Sequence, residues 1–197
     1  VTNVTIQENV PPTAVCEDIT ASLDAQGVAS IDAEDLDGGS FDNCATGITF
    51  MASRTSFNCG DKDSTGGVMV VLTVTDPSGN SNTCTATVTV ADTTAPFAEC
   101  QDVTAYLDGD GNATVSADDV DNGSTDNCDG NILFLIDGQS SLSYTCSDIG
   151  VDSVMFTATD DDMNVSTCAT TVTVVDTIAP TAVCTDITIM VDGGGSA

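Results

Sequence analysis

Apolar and polar residues alternate one by one along much of the chain. In Thr83–Val90, Cys84, Ala86, Val88 and Val90 fall on one side, and Thr83, Thr85, Thr87 and Thr89 on the other. A period of two is the pattern of a half-buried strand. The pattern returns in Thr167–Val174, with Cys168, Thr170, Val172 and Val174 inward. Val68–Thr75, Val154–Thr159 and Ile48–Ser53 read as further strands, rich in the β-branched residues that pleated surfaces favour. Ile19–Leu23 and Val28–Ala33 are predicted to pair across the turn Asp24-Ala25-Gln26-Gly27, whose later counterpart is Asp108-Gly109-Asp110-Gly111. Asp76-Pro77-Ser78-Gly79-Asn80 reads as another hairpin turn. No stretch of useful length carries the helical period. Short strands punctuated this often predict an all-β chain folded as antiparallel β-sandwiches.

The pattern is itself repeated. Cys16 to Cys100 and Cys100 to Cys184 are both 84 residues, as are Cys44 to Cys128 and Cys84 to Cys168; Cys59 to Cys146 is 87. Pro12–Cys44 aligns with Pro96–Cys128 without a gap and matches at 18 of 33 positions. A tandem array is the simplest account. The expected division is the last strand of one repeat in 1–10, complete repeats at 11–94 and 95–178, and the start of another at 179–197. Val4-Thr5-Ile6 aligns with Val88-Thr89-Val90, so the window reads as a fragment of a longer array.

Each complete repeat has four cysteines, which allow three pairings. The favoured set is Cys16–Cys84 with Cys44–Cys59, and Cys100–Cys168 with Cys128–Cys146; Cys184 is expected to pair outside the window. In an immunoglobulin-like sandwich the first and last strands run parallel, which brings Cys16 and Cys84 to one pole. Cys44 and Cys59 flank the strand at Ile48–Ser53. Free thiols or a metal site are the other readings, but there is no CxxC, and the spacings are long for zinc. Cystine in small repeats implies an oxidising, extracellular compartment. Each bridge typically adds ~2–4 kcal/mol to a unit of modest core.

Charge narrows the function further. The chain has 31 acidic residues, four of them Glu, against Arg54 and Lys62, and its net charge is -29. With two cations there is no basic patch, so nucleic acid and anionic membrane are excluded as expected partners. No apolar run is long enough to span a bilayer. Without histidine there is no imidazole base, no His-based triad and no His metal ligand. Such charge with few aromatics often signals disorder, yet 41% of residues are hydrophobic. A folded chain this acidic repels itself unless cations sit among its carboxylates.

The order of motifs is APxAxC, a DxxGxA turn, a DNC loop, a TD–GN hairpin, then TCTATVTV and DTTAP. It resembles the HYR-type immunoglobulin-like repeat, and closely the version in giant cell-surface adhesins of Bacteroidetes, including those of gliding motility. The resemblance covers nearly the whole chain. It implies exported stalk repeats of an adhesin filament at the bacterial surface. It further implies that the partners are neighbouring repeats, with surface polysaccharide or other cells expected to be engaged through other parts of the protein. Glu8-Asn9-Val10-Pro11 departs from the DTTA of Asp92–Ala95, and Asp161-Asp162-Met163 from Pro77-Ser78-Gly79.

The aspartates gather in loops. In an immunoglobulin-like unit, the loops of Asp35–Asn43 and Asp76–Asn80 share the pole where the preceding linker enters. Calcium takes six to eight oxygens, which short Asp and Asn side chains on loops can supply. The expected ligands are drawn from Glu8, Asp35, Asp37, Asp42, Asn43, Asp76 and Asp92, then Asp119, Asp121, Asp126, Asn127, Asp160, Asp162 and Asp176. Turn formation and solubility are the plainer explanation of these residues.

Two functional alternatives stand beside the stalk. One is a purely structural extracellular filament or sheath with no adhesive ligand. The other is a carbohydrate-active enzyme using paired carboxylates, which the absence of Trp disfavours. No catalytic residue and no organic cofactor are expected. Asn3, Asn112, Asn122 and Asn164 fit N-x-S/T, and the Asp-Thr-Thr and Asp-Thr-Ile linkers resemble a Bacteroidetes O-glycan acceptor, with Thr93 and Thr177 as the sugar-bearing residues.

Overall fold

The computed structural model describes residues 7–44, 47–62, 65–128, 130–190 and 193. They build one β-sandwich twice. The first contains β1 (Ile19–Ser22), β2 (Val28–Ser30), β3 (Thr49–Ala52), β4 (Ser56–Asn58), β5 (Val68–Thr75) and β6 (Ser81–Ala91). The second contains β7 (Val103–Tyr106), β8 (Asn112–Ser116), β9 (Leu133–Ile136), β10 (Ser141–Thr145), β11 (Gly150–Thr159) and β12 (Val165–Val175). The large sheet runs β1-β6-β5-β3 in one and β7-β12-β11-β9 in the other; the small sheet is β2-β4 or β8-β10. The expected strand at Val4–Ile6 lies outside the described residues. Residues 179–190 belong to no sheet, and Val183, Ile187, Ile189 and Met190 are exposed.

Alternation decides which side chains fill the space between sheets. On β5, Val70, Leu72 and Val74 are fully buried while Met69 and Val71 face out. On β11, Val154, Phe156 and Ala158 do the same, with the Phe134 ring 5.3 Å from that of Phe156. First and last strands run parallel, with Ile19 beside Val88 and Val103 beside Val172.

The expected hairpin of Ile19–Leu23 with Val28–Ala33 does not form. The turn between them does: Asp24 Oδ1 accepts the amides of Gln26 and Val28 at 2.9 and 3.0 Å. But β1 hydrogen-bonds to β6, and β2 to β4, where Ala29 faces Phe57. Burying Ala29 and Phe57 requires a second layer, so the turn carries the chain from one sheet to the other.

Short helical turns close the sandwiches where no helical period exists to betray them. Ala33–Leu36 forms a 3-10 turn and α1 (Ala117–Val120) a single α turn, plugging the cores with Leu36 and Val120. Asp35 caps the first by accepting the Asp32 amide at 2.8 Å. Asp119 caps the second, accepting the Ser116 amide at 2.8 Å and its hydroxyl at 2.6 Å.

Two outcomes follow. Phe156→Ala should cost about 3–5 kcal/mol in denaturant unfolding, through lost burial and an unfilled cavity. The hydroxyl and amide of Ser116 hold the Asp119 carboxyl below its ordinary value. Its contribution to stability is therefore complete above that ordinary value and is lost as the pH falls through the lower folded one. Asp119→Asn should flatten the acid limb of a stability–pH curve measured by urea unfolding.

Candidate metal centre at the junction

The turn between β11 and β12 is tied by its first and last residues. The Asp160 amide donates to the Asn164 carbonyl at 3.1 Å, and the Asn164 amide returns to Asp160 Oδ1 at 2.7 Å. Asn164 Nδ2 then bonds Asp160 Oδ2 at 2.8 Å and the backbone oxygen of Asp92 at 3.2 Å. One amide thus clips the incoming linker to the hairpin. Asn80 does the same in the first sandwich, bonding Asp76 Oδ2 and Glu8 Oε2, both at 2.8 Å, and the Glu8 carbonyl at 3.3 Å. Sequence reasoning read Asn80 as a turn residue and Asn164 as an N-x-S/T acceptor, and gave neither the role of a clip. The recurring D-x-x-x-N spacing was the available signal.

The clip brings carboxylates from three distant segments together. Asp92 comes from the linker, Asp126 from the DNC loop and Asp160 from the hairpin; Glu8, Asp42 and Asp76 are their counterparts. In each group one oxygen per residue lies within 4.8 Å of the others. Asp76, Asp92 and Asp160 are only 5%, 4% and 4% exposed. At an effective dielectric near 20, two full charges at that range repel by roughly 3–4 kcal/mol. Asp42 Oδ1 and Asp92 Oδ2 are buried without a hydrogen-bond donor. Burial works to raise the Asp76 carboxyl, but hydrogen bonds from the side chain and amide of Asn80 and from the Ser78 amide hold it below the ordinary value.

The donor set suits a hard cation: it is all oxygen, with neither thiolate nor imidazole in the group. Ligands on opposite sides of an ion bound at ~2.4 Å stand ~4.8 Å apart, the calcium range. Asn127 Oδ1, also buried without a donor, belongs to the same loop, and Asn127 Nδ2 lies 3.3 Å from Asp92 Oδ1.

Several expected ligands are elsewhere. The DxD residues Asp35, Asp37, Asp119 and Asp121 do not join the clusters, because their carboxylates satisfy local backbone donors. Asp35 and Asp119 cap helical turns, Asp37 accepts the Ser40 amide at 2.8 Å, and Asp121 accepts those of Gly123 and Ser124 at 3.2 and 2.9 Å. Asp162 pairs with Lys62 of the first sandwich at 2.5 Å. Asn43 directs Nδ2 to Cys44 Sγ at 3.4 Å. Asp176 accepts the Ile178 amide at 2.9 Å, with no carboxylate cluster around it among the described residues. Thr93 and Thr177 are exposed, as are Asn112 and Asn122, whereas Asn164 is the clip just described; Asn3 lies outside the described residues.

Cysteine pairing needs a larger correction. Cys16 bonds Cys84, and Cys100 bonds Cys168, each closing a sandwich on itself. Cys59 bonds Cys128 of the next sandwich; neither Cys44–Cys59 nor Cys128–Cys146 forms, and Cys44, Cys146 and Cys184 are free. The reason is position. The 3-10 turn Cys59–Asp61 presents its sulfur beside the Asp24–Gly27 turn, at the pole facing the next sandwich. The DNC loop lies at the opposite pole, beside the incoming linker. Asn127 joins the contact by donating to the Asp24 carbonyl at 2.9 Å. Gly27 leaves the space: at φ 72°, a β-carbon there would stand 2.5 Å from Cys59 Sγ and 2.9 Å from the Asn127 carbonyl oxygen.

A non-reducing peptide map of the oxidised chain should therefore give a Cys59–Cys128 peptide and no Cys44–Cys59 peptide. Gly27→Ala should slow formation of that bond while leaving Cys16–Cys84 intact.

No family model and no curated protein matches the chain. Among solved structures, the first two domains of human mucin-like protocadherin are similar at 8% identity and a TM-score of 0.37, covering 84% of this chain and 98% of that one. Four domains of Drosophila N-cadherin match at 15% and 0.40, over 84% of this chain and half of theirs. Fibronectin(III)-like modules of Clostridium thermocellum CbhA match at 13% and 0.27, over 89% of this chain and 100% of theirs. The β-sandwich assignment rests on the sheets of this chain, and no function is carried over from these structures.

Proposed function

We propose that the chain is a run of stalk repeats from an exported bacterial surface adhesin of the HYR type, serving attachment and gliding, and that calcium at each junction stiffens it. The observation that carries this reading is the Asp92–Asp126–Asp160 group, with Asp92 and Asp160 buried, formed by the linker between sandwiches, the DNC loop and the hairpin of β11 and β12. A cation there neutralises their repulsion and fixes the linker to both loops in one step. The inter-sandwich Cys59–Cys128 bond and the Lys62–Asp162 pair act at the same interface. Cystine supports an extracellular setting. No helix among the described residues is long and apolar enough to cross a membrane.

The role is mechanical rather than enzymatic. The carboxylates most suited to acid–base chemistry are largely buried and tied to the linker, and the chain has no Trp to stack a sugar. Adhesion itself then falls to other parts of the protein.

Calcium titration tests this. With site affinities of ~10⁻⁴ M, about 10 mM calcium should stabilise by about 2.7 kcal/mol per site, read as a raised melting temperature that chelator reverses. Small-angle scattering should show a longer, narrower distribution of shapes with calcium. Asp160→Asn should remove most of the response of its junction. Melting and scattering profiles that ignore both calcium and chelator would sink the reading.

A further inference from the structure

We infer that the second sandwich carries a ready seat for the DNC loop of a further copy of the repeat, and that Cys146 forms a disulfide with that loop's cysteine. Every sandwich in an array is then bonded to the next, Cys44 being the loop-side half of such a bond and Cys146 the turn-side half. The inference rests on the tandem arrangement, not on the cation.

The first junction shows what the seat holds. The DNC loop of the second sandwich packs on the Asp24–Gly27 turn, with Asn127 on the Asp24 carbonyl and Cys128 bonded to Cys59. Cys59 Sγ lies 3.6 Å from the Gly27 carbonyl oxygen. The second sandwich repeats this surface. The Asp108–Gly111 turn has the same bonds, with Asp108 Oδ1 accepting the amides of Asp110 and Asn112 at 2.9 Å. Cys146 Sγ sits 3.7 Å from the Gly111 carbonyl oxygen. A β-carbon on Gly111, at φ 79°, would stand 2.6 Å from that sulfur, matching the 2.5 Å at Gly27. The sulfur is thus held in the bonded position.

Beside it lies a groove of about 470 Å³, bounded by the Asp108–Gly111 turn, Cys146, Asp176 and the linker to Pro180. At the first junction Asn127 and Cys128 occupy the corresponding place, and Asp92, which Asn127 also contacts, corresponds to Asp176. The complementary half is already shaped on the first sandwich. The Cys44 amide donates to Asp42 Oδ2 at 2.9 Å, as the Cys128 amide does to Asp126 Oδ2, and the Cys44 thiol is free and exposed. One copy's loop therefore fits another copy's turn. Bond formation joins two thiols; their two electrons pass to an added disulfide such as oxidised glutathione, which is reduced to two thiols and takes up the two protons.

The experiment inserts a second copy of residues 95–178 between Ile178 and Ala179, which keeps the native linker register; the inserted copy carries Asn131→Gln and Ile149→Val, both at exposed positions, so that its Cys128 and Cys146 peptides differ in mass from those of the first copy. The chain is refolded with a glutathione redox pair and chelator throughout, so that failure of the calcium reading cannot affect the result. The free-thiol count should stay at three, and a non-reducing peptide map should join Cys146 of the first copy to Cys128 of the inserted one. A count raised by two, or Cys128 of the inserted copy bonded to that copy's own Cys146, overturns the inference. If the inserted copy lacks its Cys100–Cys168 bond and so has not folded, oxidation of the unaltered chain carrying Cys184→Ser decides. Oligomers linked Cys146 to Cys44 support the seat; Cys146 linked to itself, or no oligomer, overturns it.

Discussion

The junction depends on the proximity of three like charges. Asp92, Asp126 and Asp160 meet within 4.8 Å, and two of them are almost wholly buried. Burial alone raises the cost of each charge, and proximity raises it again. The fold accepts this arrangement because the hairpin asparagine holds linker and loop together through neutral amide bonds. A cation converts the same closeness from repulsion into attraction. The rest of the interface, from the Asn127–Asp24 bond to the Cys59–Cys128 bond, is arranged around that point.

The two cations of the chain show how little else opposes its charge. Arg54 pairs with Asp61 within the first sandwich, stacking on Phe57, and the Asp61 carboxyl is held below its ordinary value chiefly by that guanidinium. Lys62 reaches across to Asp162 of the second sandwich. The counterpart of Lys62 by repeat spacing is Ile149, so the same pair does not recur in the second sandwich.

Much of the fold was legible because strand alternation and the 84-residue spacing are direct imprints of burial and repetition. Thr83–Val90 and Thr167–Val174 sit within β6 and β12, and Val68–Thr75 is β5. Sheet membership was less legible: a tight turn at Asp24–Gly27 looks the same in sequence whether it joins neighbours or crosses layers. The site divided in the same way. Glu8, Asp42, Asp76, Asp92, Asp126 and Asp160 converge, but the DxD aspartates do not. Asp35 and Asp119 stand three residues after Asp32 and Ser116, the spacing of a capping box, and that signal was present and unread. Cysteine pairing failed for a different reason. Spacing within one repeat favours local partners, and nothing in it says that Cys59 and Cys44 point to opposite poles.

The disulfide beside the parallel first and last strands sets how the molecule transmits tension. A pull along the array enters a sandwich just before β1 or β7 and leaves by β6 or β12, and the cystine carries it straight across, so the ladders of β1 with β6 and β7 with β12 lie outside the path of the load. Cys16–Cys84 and Cys100–Cys168 each span 68 residues of an 84-residue period. Even a sandwich that loses its fold can release only the few residues outside its covalent loop, a slack of roughly 50–60 Å at ~3.5 Å per residue. Such a tether is nearly inextensible, failing by breaking bonds rather than by paying out chain.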